Sequence, residues 1–151
     1  MSKEYTCLGM MSGTSGDGVD ASIIKSNGQD KFTILREKYY KYEKDLGNQI
    51  HFLKKKINNI NDLNTFELSI KELEKKITMF HVKAAKDISG GFDLDLIGFH
   101  GQTLYHNPNQ KTSIQIGNGN LLSQLLKKKV VFNFRKNDIR NGGEGAPLTP
   151  I

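Results

Sequence analysis

The sequence predicts an α/β domain: a mixed sheet with flanking helices. Three strand-like segments come first, in meander order. The hydrophobic period then lengthens from two residues to between three and four, and after that helix and strand alternate. Thr6–Met11, Val19–Lys25 and Phe32–Tyr40 form the meander, with Asn27-Gly28 marking its second turn. Leu46, Ile50, Leu53 and Ile57 step by four, three and four, which is the apolar stripe of an amphipathic helix. A longer stripe follows at Leu63, Phe66, Ile70, Leu73, Ile77, Phe80 and Ala84. Asn61 or Asp62 is placed to cap its start and Ser89-Gly90-Gly91 to stop it. The same spacing suits a coiled coil, but one short run without a second segment favours ordinary core packing.

Leu94–Phe99 is almost continuously apolar, which predicts a strand buried on both faces and ending in the loop His100-Gly101-Gln102-Thr103. Thr112–Ile116 is a further strand, closed by Gly117–Asn120. Leu121–Lys128 follows as a short helix and Val130–Phe134 as a last apolar strand. Arg135–Asp138 and the glycine-rich run Gly142–Pro150 complete the chain. The polar, glycine-rich loops thus follow apolar strands, and α/β sheets gather ligands outside their strand ends.

Composition narrows the function. The chain of 151 residues suffices for one domain with a real core. Its 36% hydrophobic and 25% charged content describes a soluble, rather polar globular protein. The single Cys7 excludes an internal disulfide framework and suits a reducing cytoplasm. The first residues do not read as a signal peptide, and no apolar run approaches membrane-spanning length. The net charge of +6 gathers in Lys54-Lys55-Lys56, Lys75-Lys76 and Lys127-Lys128-Lys129, each at or inside an apolar-periodic segment. Such lysines read as solvated helix faces, so no nucleic-acid partner is expected. There is no Walker loop, no Rossmann glycine spacing and no Cys/His metal cluster; His100 and His106 make no recognisable metal motif.

The most informative stretch is Gly9–Asp20, where an apolar strand opens into Ser12-Gly13-Thr14-Ser15-Gly16-Asp17-Gly18 before apolar sequence resumes at Ala21. Glycines let backbone approach a ligand, successive N–H groups form an anion-binding nest, and hydroxyls add adaptable donors. This reads as a loop for phosphate or sugar oxygens. A glycine-rich hairpin turn is the other reading, since Asp-Gly is also a hairpin signal.

Four ordered motifs carry a resemblance to a known family. Met10–Asp20 resembles the M-S-G-T-S-x-D-G-x-D opening of anhydro-N-acetylmuramic acid kinases, and Ile97–Thr103 their G-x-H-G-Q-T, followed by His106 and Pro108. Ile114-Gln115-Ile116-Gly117 is similar to the family's Q-[IL]-G segment. Arg135–Pro150 is similar to its D-F-R-x-x-D-x-x-x-G-G-Q-G-A-P-L-x-P. The resemblance implies the ASKHA fold of sugar kinases and actin, two α/β domains around one active site. By that resemblance residues 1–151 are expected to be its N-terminal domain, with the second, nucleotide-binding domain and the catalytic aspartate motif G-F-D-x-G-P-G-N expected outside this chain.

The resemblance further implies a cytoplasmic bacterial enzyme of peptidoglycan recycling and amino-sugar metabolism. It opens the 1,6-anhydro ring of its sugar with water and transfers the γ-phosphate of ATP to O6, giving N-acetylmuramate 6-phosphate. ATP is the implied nucleotide, and Mg2+ is inferred from ATP chemistry. Ser12, Gly13, Thr14, Ser15, Asp17 and Gly18 are the expected phosphate- and ATP-binding residues. His100, Gln102, Thr103, Arg135 and Asp138 are the expected contacts to the anhydro-amino-sugar, Arg135 through a planar fork suited to a carboxylate or phosphate. Taken singly, His100 also reads as a core histidine, Arg135 and Asp138 as a structural ion pair, and Gly142–Gly145 as a helix stop. No catalytic or metal residue is expected within this chain, and a homodimer is an open option.

Two positions depart from the family's pattern. Asn133 stands where the family has Asp before Phe-Arg, and Glu144 where it has Gln. Asn133 is expected to weaken ligand binding if that position orients Arg135. Ending at Leu148-Thr149-Pro150-Ile151 is expected to expose apolar surface and promote self-association. The alternative function is a truncated, non-catalytic remnant that binds sugar or a partner chain without turnover.

Overall fold

A computed structural model describes residues 3–146 of the chain. The expected meander is present as β1 (Tyr5–Ser12), β2 (Gly18–Ser26) and β3 (Phe32–Lys41). Helices α1 (Lys44–Lys56), α2 (Asp62–Thr65) and α3 (Glu67–Ile88) follow, then β4 (Leu96–Asn107). A 3-10 turn at Pro108–Gln110 leads to β5 (Thr112–Ile116), α4 (Gly119–Leu126), β6 (Val130–Phe132) and α5 (Phe134–Arg140). The sheet runs β3-β2-β1-β4-β5, with β6 also on β4. The meander pairs antiparallel, β1 and β6 lie parallel to β4, and β5 is antiparallel to it. This mixed sheet with flanking helices is the architecture expected.

Strand alternation decides what is buried. Leu8 and Met10 of β1, Val19, Ala21 and Ile23 of β2, and Ile97 and Phe99 of β4 face one side and are buried. Against that side pack Leu46, Ile50 and Leu53 of α1, Leu73, Ile77, Ala85 and Ile88 of α3, and Leu122 of α4. Ile57 also joins this core as the C-cap of α1. The long stripe breaks at Phe66, between α2 and α3; Asn61 holds the N-cap position of α2 but its side chain makes no capping hydrogen bond, and Phe66 stands at the N-cap of α3. The Asp62 carboxylate instead accepts from the backbone N–H groups of Asn58 and Asn59, organising the turn before α2. Ser89 caps the end of α3 as expected.

Three expectations are corrected. Leu94–Phe99 is not buried on both faces, because Gly98 leaves the outer face of its strand open while Ile97 and Phe99 are covered. His100–Thr103 is not a strand-end loop: it lies inside β4, which is 12 residues long and runs on to Asn107. The strand survives because it changes partners there. Its first half pairs with β6 and its second with β5, and an extra residue is inserted opposite β1, where Met10 faces Phe99 but Ser12 faces Gln102. Gly101 fills that bulge at φ +75°, and a Cβ there would lie 2.6 Å from the Ile116 carbonyl oxygen. Thirdly, β6 ends at Phe132; Asn133 takes the left-handed conformation (φ 63°), which Asn tolerates better than most residues, and Phe134 starts α5.

One core side chain is unusual. His81 of α3 is fully buried, its ring 5.0 Å from that of Phe99 and edge-on to it. Nδ1 donates to the Ile77 carbonyl and Nε2 has no partner among the described residues. Burial pulls its pKa down to about 4, and the nearby His100 acts in the same direction. His81 is therefore neutral in the folded protein but accepts a proton near pH 6.5 once unfolded. Stability is full above pH 6.5 and falls as pH drops from there towards 4, by up to about 1.4 kcal/mol per pH unit. Urea titrations across this range are expected to show that acid limb, and His81→Leu to flatten it.

Candidate functional site

Two polar clusters meet at the β4 bulge. The first begins at Ser12, the last residue of β1, which is fully buried. Its hydroxyl lies 2.9 Å from the Gly18 carbonyl, 2.6 Å from the Tyr42 hydroxyl and against Gln102 Oε1. Proton bookkeeping orients this network. Gln102 Nε2 donates to the carbonyls of Gly13 (2.7 Å) and Thr103 (3.0 Å), so Oε1 faces Ser12. The Ser12 proton is then shared between Oε1 and Gly18, and Tyr42 donates into Ser12. Burial pushes the Tyr42 phenol well above its ordinary pKa, which keeps it a donor. Its backbone N–H also donates to the Asp17 carbonyl (2.8 Å), so one residue holds both ends of the loop.

The loop itself turns outward. Thr14 and Ser15 are exposed at its tip, and their backbone N–H groups have no acceptor among the described residues. Gly16 is buried at φ +71° with Ile50 of α1 beneath it. Lys54 of α1 donates its ammonium to the Thr14 carbonyl. Partial burial lowers the Lys54 pKa, and Asp17 opposes that shift. The Asp17 carboxylate is exposed, 3.7 Å from His51 Nε2.

The second cluster lies just beyond the bulge. His100 Nδ1 donates to the Gly101 carbonyl (2.8 Å), which leaves Nε2 as the acceptor for Arg135 Nε (2.8 Å). Arg135 Nη1 donates to the Gly145 carbonyl (2.6 Å), and the Gly145 N–H donates to Asp138 (2.8 Å). Burial lowers the His100 pKa, and the Arg135 charge reinforces this. Protonating Nε2 would set two donors against each other. Arg135 and Asp138 thus grip the two sides of Gly145 rather than pairing with each other, and Arg135 takes its orientation from His100 and Gly145, not from Asn133.

The structure therefore sorts the expected site residues. Gly13, Thr14, Ser15 and Asp17 form the loop rim, while Ser12 and Gly18 lie inside the network that shapes it. Gln102 reaches the loop, and His100, Arg135 and Asp138 form the second cluster. Thr103 stands apart, buried and receiving a 3.4 Å contact from Gln115 Nε2. Glu144 is exposed, and Pro147–Pro150 of the last motif lie outside the described residues. Tyr42, His51 and Lys54 were missed. Lys54 was hidden in a three-lysine run that reads as solvated helix, although it sits one turn after Ile50, which touches the loop. Among the described residues, no group of three or more His, Cys, Asp or Glu could hold a metal ion. No helix among them is long and apolar enough to cross a membrane.

A family model described as anhydro-N-acetylmuramic acid kinase matches residues 5–151. Over 153 aligned residues the chain is 56% identical to the anhydro-N-acetylmuramic acid kinase of Pelagibacter ubique, covering 100% of this chain and 41% of that protein. It is 37% identical to the Gluconobacter oxydans protein of the same name, covering 95% and 40%. The Prochlorococcus marinus protein, also so named, is 38% identical, covering 95% and 38%. The chain thus spans about two-fifths of the length of the curated relatives it matches.

Two outcomes follow from the geometry. Ser12→Ala leaves Tyr42, Gln102 and Gly18 without a shared partner in a dry site, so urea unfolding is expected to lose about 1–3 kcal/mol. Nitrogen-15 spectra of the His100 ring are expected to show the Nδ1–H tautomer and a pKa below the usual histidine value, with the pKa rising in Arg135→Met.

Proposed function

The chain belongs to the anhydro-N-acetylmuramic acid kinase family, and on that premise we propose that it forms the phosphate- and sugar-contacting part of an ATP-dependent sugar kinase. The reaction is the one expected from the motifs: water adds at C1 as the 1,6-anhydro bond breaks, and the freed O6 takes the γ-phosphoryl group of ATP. The products are N-acetylmuramate 6-phosphate and ADP. The setting is the cytoplasm, in the recycling of cell-wall amino sugars.

The observation that carries this reading is the turn at Thr14-Ser15, where two N–H groups without an acceptor among the described residues and two exposed side chains share a rim with the Lys54 ammonium. Such a turn fits the phosphates of ATP, because backbone N–H groups and a nearby cation stabilise anionic oxygens. Asp17 fits a magnesium ion of the kind that keeps several waters and takes one or two carboxylates plus phosphate oxygens. When bound, Mg2+ supplies charge neutralisation across the transferring phosphates. Ser12 and Gln102 act here by fixing the turn. In the second cluster, His100 and Gly145 hold Arg135 so that its remaining N–H groups present a fork to an acidic substituent of the sugar, and the second oxygen of Asp138 accepts from a hydroxyl. Nothing described favours the alternative of a remnant without turnover.

Phosphoryl transfer demands positioning and charge stabilisation more than covalent chemistry. The test joins this chain to the polypeptide that the Pelagibacter ubique relative carries beyond its matched region. ADP release should then depend on anhydro-N-acetylmuramic acid. Thr14→Val with Ser15→Ala should raise KM for ATP about tenfold, the loss of roughly 1.4 kcal/mol in phosphate contacts. ADP release that ignores the sugar would overturn the reading.

A further inference from the structure

The sheet has helices packed on one face only over β1, β2 and the start of β4. On the opposite face Phe32 (67% exposed), Ile34 (51%), Tyr39 (51%) and Met11 (48%) stand uncovered. Beside Tyr39 and Met11 runs a trough across the strands. Its floor is a single row of cross-strand partners: Glu37 opposite Ser22, Ser22 opposite Gly9, Gly9 opposite Gly98. The trough encloses about 710 Å³, with Tyr39, Met11, His100 and Phe134 among its walls. The two glycines are not required by the domain's own packing. A Cβ at Gly9 or at Gly98 would meet nothing closer than 3.9 Å, unlike the clash at Gly101. Backbone laid bare without local need suits the close approach of another element.

We propose that this trough is the seat of an amphipathic helix supplied by the part of the family's polypeptide that this chain does not match, about three-fifths of the Pelagibacter ubique relative. The dimensions agree. Four strands about 4.8 Å apart make a floor of roughly 14 Å, two to three helical turns, and helices pack on their neighbours at about 8–10 Å, where small residues allow the closest approach. The position of Gly145 agrees as well. Through Arg135 it is tied to His100, a wall of the trough, so the chain at this point already lies beside the bare face. Asp20 and Glu37 line the same trough, while the Lys38 ammonium is paired with Asp87 of α3, which favours a helix carrying a basic residue at its flank. Burying this face also removes an apolar surface that a free-standing domain tends to use for aggregation.

The single cysteine offers a native probe, because Cys7 is on the same face of β1 as Gly9 and is partly exposed. Alkylation of Cys7 by iodoacetamide, read by peptide mass, is measured in the 151-residue chain and in two longer formats. One joins the chain to the remaining Pelagibacter ubique polypeptide; the other co-expresses the two. Alkylation is expected to slow at least tenfold in one or both longer formats, and Gly98→Leu to restore the fast rate there while leaving the melting temperature of the 151-residue chain unchanged. Equal rates in all formats would overturn the proposal. So would slow alkylation of the 151-residue chain as a dimer by light scattering, which would give the trough to a second copy. Neither ATP nor sugar is present, so this result stands or falls apart from the kinase reading.

Discussion

The Gln102 carboxamide is the contact on which the arrangement of the site depends. It joins β4 to a loop 89 residues earlier in the chain through Gly13, and to Ser12 and thereby Tyr42. It can do so because of one inserted residue. In a regular strand residues 100 and 102 would share a face. The bulge at Gly101 lets His100 remain on the open face while Gln102 takes the core-facing place opposite Ser12. Two side chains two residues apart thus serve two different loops. The left-handed conformation and the close carbonyl of Ile116 leave glycine the only residue that fits between them.

Much of the fold was legible in the sequence. The meander, the α1 stripe and the end of α3 follow from periodicity and turn chemistry, and those signals are local. What was not legible depended on tertiary context. The apolar run Leu94–Phe99 gives the same pattern for one buried face as for two, because glycine counts for neither. The polar string His100–Thr103 has the composition of a loop, yet partner exchange with β5 and β6 keeps it extended. Asp62 has the chemistry of a helix cap but serves the turn before α2.

The candidate site was legible as a set of residues more than as a set of roles. The residues of the loop and of the second cluster were both singled out, but Gln102 was expected as a sugar contact, whereas its carboxamide is spent on Ser12, Gly13 and Thr103. The sequence could not separate hydroxyls that face a ligand from the hydroxyl of Ser12, which is spent on the protein's own network. Nor could it single out Lys54, because its two neighbouring lysines have the same chemistry and only the tilt of α1 against Gly16 separates them. Tyr42 gave no signal at all. An aromatic residue just before a helix is ordinary, and its hydroxyl matters only because Ser12 lies within reach.

The place of β1 in the sheet has a consequence for biosynthesis. One of its edges is satisfied early, by β2, which follows within a few residues. The other must wait for β4, whose first residue, Leu96, comes 84 positions after Ser12, where β1 ends. At the usual pace of translation, about 5–20 residues per second, that edge stays open for roughly 4 to 17 seconds on the ribosome. During that time Leu8 and Met10 stand on a ribbon with one unpaired edge, of the kind that recruits neighbouring chains. The meander therefore has to be shielded before it can be completed. A nascent chain halted anywhere between α1 and α3 is the form of this protein most exposed to chaperones.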